Sequence, residues 1–331
     1  MIRLAGLLML LLWPAQARAP HHISVIYFEP VILDRLKPER RRFQDLRLLG
    51  AWKLTSDNEN FHGISAMRAA GGRIVAVSDT GFLFAFDFDG TQQRSLLQAR
   101  SLPQGYHAGK PDRDAESMAV DPASGRIWVG FEGSNRIRSF FAGQEHAAVT
   151  AAPAAMAAWP GNRGAEGMVR LKDGRFLVVG EGALGPKSVM GLLFAGDPTG
   201  HGQIPTRFFF TGPKAHSPTD IGELPDGDIL ILSRHFSWLG GFAASLTTID
   251  PRRIAPGRIL WRKRIMRLKP PLNIDNMEAL SVEQRGDQTI IWMASDDNHN
   301  PLQKTLLLKF TWEPVARPGN ERPSQIVTEP S

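Results

Sequence analysis

Five stretches of this chain can be laid over one another, and that repetition constrains the fold more than any single motif. The first runs Gly63-Ile64-Ser65-Ala66-Met67 and then Gly72 to Asp79. The second opens on Glu116-Ser117-Met118-Ala119-Val120 and continues from Gly125 to Glu132. The third pairs Glu166-Gly167-Met168-Val169-Arg170 with Gly174 to Glu181, and the fourth Asp220-Ile221-Gly222-Glu223-Leu224 with Gly227 to Arg234. The fifth pairs Glu278-Ala279-Leu280-Ser281-Val282 with Ile290 to Asp296. The units start at 63, 116, 166, 220 and 278, slightly more than the blade length of common propellers.

Each unit joins a small-residue strand to an apolar, β-rich strand. Small residues suit the crowded axis of a propeller, where inner strands approach closely. Asp89-Gly90, Asp173-Gly174 and Asp226-Gly227 can adopt the backbone angles of tight turns. A third strand follows in most units, as in Phe82 to Phe88 or Thr305 to Trp312, with outer strands less regular. The expected fold is an all-β propeller of five four-stranded blades. A sixth has room in 235–275 or 23–45, and a β-sandwich pair is the competing fold. The fifth unit lacks an outer strand, and Leu46 to Leu54 is expected to supply it and so close the ring.

The alignment produces two polar columns. One, opening the first strand, reads Gly63, Glu116, Glu166, Asp220, Glu278; the other, ending the second strand, reads Asp79, Glu132, Glu181, Arg234, Asp296. Equivalent places in the blades mean neighbouring places around one axis. Gathered carboxylates repel, and a cation relieves that repulsion. Calcium fits, because it takes six to eight oxygen ligands in flexible geometry. Taken singly, each acid reads as a turn cap or a blade-local ion pair. Ser295-Asp296-Asp297-Asn298-His299-Asn300 is the densest run of ligand atoms, without EF-hand spacing. His62, His107, His201, His216 and His235 show no spacing such as H-E-x-x-H, so zinc is not expected. No Gly-x-Ser-x-Gly is present.

These residues resemble a known family. Leu49-Gly50-Ala51-Trp52-Lys53-Leu54 with Phe61-His62-Gly63-Ile64-Ser65 is similar to the start of the bacterial phytase-like domain labelled esterase-like activity of phytase. So are Ala165-Glu166-Gly167-Met168, Ser217-Pro218-Thr219-Asp220, Asp275-Asn276-Met277-Glu278, and Ser295 to Asn298 through Gln303 to Leu308. The chain departs at His62, where a second glycine is commoner, and at Gly63, which leaves the first unit without its acid. The resemblance covers roughly residues 46 to 312 and implies a periplasmic or secreted propeller whose acids carry phosphoester hydrolysis. On this reading Glu166, Glu278 and Asp296 are the catalytic candidates. Glu116, Glu181, Asp220 and Asp297 are candidate calcium ligands, and Arg234, His235 and Lys304 candidate phosphate contacts. A lactonase or esterase on a calcium propeller and a non-catalytic binding propeller are the alternatives.

Residues 1–19 read as a signal peptide: Arg3, an apolar run from Leu4 to Trp13, and Ala17-Arg18-Ala19 before the cut. Residues 20–45 read as an extension, 46–314 as the propeller and 315–331 as a flexible tail. The chain has no cysteine, which excludes disulfides and lipoprotein attachment. No later stretch is apolar enough for a membrane-spanning helix. The net charge of +6 comes in part from local runs, Arg40 to Arg42 and Trp261 to Lys269, rather than from the dense basic face of a nucleic-acid binder. A small molecule, a phosphate ester, is the expected partner, and the oligomeric state is left open. Intact-mass analysis of exported protein is expected to find Pro20 at the N-terminus. A mass retaining Met1 would reject cleavage.

Overall fold

The computed structural model describes residues 24–103, 109–141, 149–157, 159–160, 163–183, 188–211 and 216–314; the expected signal segment and C-terminal tail lie outside them. The chain begins with β1 (Ser24–Pro30), β2 (Arg42–Phe43) and β3 (Leu46–Ser56). The repeats then appear as antiparallel groups. The first is β4 (Ile64–Ala70), β5 (Arg73–Ser78), β6 (Phe82–Asp87) and β7 (Arg94–Ser101). The second is β8 (Ala115–Val120), β9 (Arg126–Phe131), β10 (Arg136–Phe141) and β11 (Val149–Ala151). The third is β12 (Ala165–Arg170), β13 (Phe176–Ala183), β14 (Val189–Phe194) and β15 (Thr206–Phe210). The fourth is β16 (Ser217–Glu223), β17 (Ile229–Ser237) and β18 (Gly241–Ile249); β19 (Ile259–Leu260) turns back to β15 before β20 (Lys263–Leu268) completes it. The fifth is β21 (Asn276–Arg285), β22 (Gln288–Asp296) and β23 (Leu306–Trp312), with β3 as its fourth strand.

The expected partner of the last unit is thus found: Leu46–Ser56 pairs with β23 from Leu306↔Lys53 to Trp312↔Leu46. Residues 24–30, read from sequence as part of an extension, are built into the sheet. β1 lies between β3 and β7 and hydrogen-bonds to both, linking the last group to the first.

Strand alternation explains the core. Side chains along a strand point to opposite faces. In β17, Ile229 and Ile231 pack with Val169 and Leu177 of the third group, whereas Leu230 and Leu232 pack with Leu280 and Ile291 of the fifth. In β5, Val75 and Val77 meet Met118 and Val129, while Ile74 and Ala76 meet Trp292 and Ala279. The second strand of a unit is buried on both faces, so it reads as a continuous apolar run.

The inner strands β4, β8, β12, β16 and β21 touch in succession, and β21 also touches β4. Close approach shows at Gly167, where a Cβ would lie 3.2 Å from the backbone of Asp220 and Ile221. Arg68, on β4, spans this centre. Its Nη1 donates to Asp220 Oδ2 at 3.0 Å and to Leu280 O at 2.9 Å, and its guanidinium also reaches the carbonyls of Met67 and Met168. Asp220 is fully buried and also accepts from the backbone N–H of Leu280 and Ile221. One ion pair thereby ties four inner strands. Removing one member of a buried pair leaves an uncompensated charge. Arg68→Ala is expected to lower unfolding free energy by about 3–5 kcal/mol in urea titration, with Arg68→Met/Asp220→Leu recovering much of it. A single-variant loss below about 1 kcal/mol would place the pair among ordinary surface bridges.

Candidate functional site

The first strand of every unit carries the same irregularity. Pairing slips between Ile64 and Ala66, Ala115 and Ser117, Ala165 and Gly167, Pro218 and Asp220, and Met277 and Ala279. Each slip is a β-bulge, with the skipped residue left out of the ladder. The bulged residues are Ser65, Glu116, Glu166, Thr219 and Glu278. The strand register therefore corrects the first polar column at two places: Ser65 replaces Gly63, and Thr219 replaces Asp220. The hydroxyls at these two places bridge to the next inner strand instead, Ser65 to Ala115 O at 2.6 Å and Thr219 to Met277 O at 3.3 Å. A shift of one residue puts a side chain on the other side of a strand. Asp220, a candidate calcium ligand by sequence, consequently faces Arg68 at the centre and does not join the other acids.

The second column holds its alignment. Asp79, Glu132, Glu181, Arg234 and Asp296 each come one residue after Ser78, Phe131, Gly180, Ser233 and Ser295, the partners of the residue before each bulge. The two columns meet. Glu132, Glu166 and Glu181 each bring a carboxylate oxygen within 4.8 Å of the other two, and Asp114, Glu116 and Glu132 do the same. Glu132 belongs to both sets. Arg234 lies against this group, with Nε 3.2 Å from Glu278 Oε1 and Nη2 3.6 Å from Glu181 Oε1. Asn276 Nδ2 donates to Glu278 at 2.7 Å, and the backbone N–H of Asn298 donates to Asp296 Oδ1 at 2.7 Å.

Burial and mutual repulsion act on the same protons. Glu116 and Glu166 are pushed well above the ordinary carboxylate range, first by desolvation and then by neighbouring acids. Desolvation raises Glu278 to about 7 despite Arg234, and Asp296 to about 8 with Glu278 adding to it. Asp79, Asp114 and Glu132 are raised as well, again mainly by desolvation. Arg234 is held in its charged form: burial works against the charge, and Glu278, Glu181, Glu166 and Glu116 outweigh it.

The other candidates lie apart from this cluster. His235 stacks on His216 with centroids 5.2 Å apart, and His216, held low at about 4 by burial and that neighbour, contacts Ser245 Oγ. Lys304 lines a groove with Glu29, Ile32, Arg35, Lys53 and Asn273, and its backbone N–H donates to Asp275. Asp297 sits beside the site with its oxygens engaged: Oδ1 accepts from the N–H of Gly63 and of His299, and Oδ2 from Thr305 Oγ1. Three contributors escaped the sequence-based set. Glu132 and Asp79 stand in the second column, which was their signal. Asp114 has none: it stands outside the aligned columns, and the backbone N–H of Glu132 donates to its carbonyl.

A family model described as esterase-like activity of phytase matches residues 59–299. No curated protein matches the chain. Among solved structures, hydrazine synthase of Kuenenia stuttgartiensis is 13% identical with a TM-score of 0.37, over 74% of this chain and 59% of that one. The protein U3-55K is 9% identical with a TM-score of 0.39, over 80% of this chain and 98% of that one.

The raised carboxyls fix a direction of pH dependence. In the folded chain Glu278 and Asp296 hold protons that the unfolded chain releases near pH 4. The stability they contribute is full below that pH and is lost as pH rises to about 8. The melting temperature of chelator-treated protein should therefore be higher at pH 5 than at pH 8. Glu278→Gln/Asp296→Asn should flatten the slope. Equal melting temperatures at both pH values in the parent chain would contradict the repulsion described.

Proposed function

The chain belongs to the phytase-like family, and we propose that it is a calcium-dependent phosphoester hydrolase working at the acidic cluster, on a five-bladed ring closed by β3. The observation that carries this reading is the convergence of Asp114, Glu116, Glu132, Glu166 and Glu181 into two oxygen-only sets sharing Glu132. Such a donor set fits a hard cation that takes many oxygens, and calcium is the fitting choice. These five acids would hold it. Bound there, the ion would draw off negative charge from a phosphoryl oxygen.

The chain's own groups supply the remainder. Arg234 has five N–H donors in a planar fork, and two carboxylates meet it. That leaves donor capacity for an anionic oxygen of the substrate. Glu278, with its carboxyl near 7, is suited to accept a proton from an attacking water close to neutral pH. Asp296, raised to about 8, keeps its proton there and can donate it to a leaving alkoxide. His235 and Lys304 have no part in these steps. The signal segment expected at residues 1–19 supports a periplasmic or secreted location.

The test couples stability and turnover. Calcium should stabilise the protein by about 2.7 kcal/mol when free ion is a hundredfold above its dissociation constant, and chelation should reverse this. Glu166→Gln should blunt that response and lower hydrolysis of p-nitrophenyl phosphate at least about tenfold. Melting that ignores both calcium and chelator would refute the calcium site. A calcium response with lactone turnover and no phosphate-ester turnover would move the chain to the lactonase class.

A further inference from the structure

His62 precedes β4, Asp79 follows β5, and His299 lies in the turn between β22 and β23. The fold brings all three together, with one ligand atom from each within 4.8 Å of the other two. The imidazole rings of His62 and His299 lie against each other. Two further observations point to a ligand. His62 Nδ1 and Asp79 Oδ1 are both buried, and neither has a hydrogen-bond partner. Buried polar atoms are ordinarily satisfied, so two orphans in one cluster call for a common partner.

The surroundings are shaped to keep the cluster assembled. Gly63 has φ of +64°, and a Cβ there would lie 2.0 Å from Asp79 Oδ1. The glycine thus leaves space for the Asp79 carboxylate, and Asp79 N–H donates back to Gly63 O at 3.1 Å. Asp297 Oδ1 accepts from Gly63 N at 3.3 Å and His299 N at 3.2 Å, clamping the backbone beside both histidines. Asp297 is accordingly a positioning residue here.

We propose that His62, Asp79 and His299 form a second metal site, for a divalent transition ion of the zinc class, beside the oxygen-only cluster. Two imidazoles and one carboxylate suit zinc, iron or cobalt, whereas calcium prefers oxygen alone. Three protein ligands leave a coordination position for water or substrate. The site shares no ligand with the five acids assigned to calcium, so each can fail without the other.

The probe is Co²⁺ added alone to metal-free full-length protein, followed by its visible absorption, with Zn²⁺ as displacing ion. Stoichiometric binding with bands of a nitrogen-ligated ion is expected. His62→Ala and His299→Ala should each weaken it at least about tenfold, since removing even an outer partner costs that much at such sites. Glu116→Gln should leave it unchanged, and calcium should not compete. His299 is in an exposed turn, so its variant keeps the test valid should His62→Ala unfold; melting curves of the metal-free variants check this. Absence of Co²⁺ binding, or binding equally strong in both histidine variants, would overturn the proposal.

Discussion

The Arg68–Asp220 ion pair stands at the centre on which the inner strands depend. Those strands come from segments far apart in sequence and approach closely, as at Gly167. A cation reaching from β4 to the carbonyls of Met168 and Leu280, with Asp220 returning two acceptors, supplies directional contacts between them. Burial raises Asp220 to about 6 even beside Arg68, so the pair is held against a real desolvation cost. The apolar material lies further out, between successive groups, where alternating residues of each second strand serve two interfaces at once.

The same inner strands set up the opposite situation a few residues away. A bulge repeated in five units turns one residue per strand out of the ladder, and in three units that residue is glutamate. At the centre, charge is matched within the protein. At the cluster, Arg234 lies against Glu181 and Glu278, and burial with mutual repulsion pushes Glu116, Glu166 and Glu278 toward holding their protons. Several carboxylates thus meet there with Arg234 beside them. Ser65 and Thr219 show what the bulged position does when it carries no charge: it fastens one inner strand to the next.

The repetition of units, their turns at Gly174 and Gly227, the pairing of Leu46 to Leu54 with the last unit, and the column Asp79, Glu132, Glu181, Arg234, Asp296 were all legible in the sequence. They rest on local periodicity, and the second strands are regular enough to carry a residue count through to their ends. The first strands are not. A bulge adds one residue to a strand without any marker in composition, so counting forward from the small-residue run assigned Gly63 and Asp220 to places held by Ser65 and Thr219. That slip of one or two residues decided whether Asp220 was read as a ligand or as the centre's counter-ion.

The sequence by itself determined the all-β class, the repetition of similar units and the presence of an acidic column, because each is written in short-range pattern. Tertiary structure alone decided which acids share a site. Asp114 joins Glu116 and Glu132 from outside the aligned columns, and His62 meets His299 from the opposite end of the repeats. No spacing rule connects residues 237 positions apart, here 62 and 299; they meet because the last unit packs against the first.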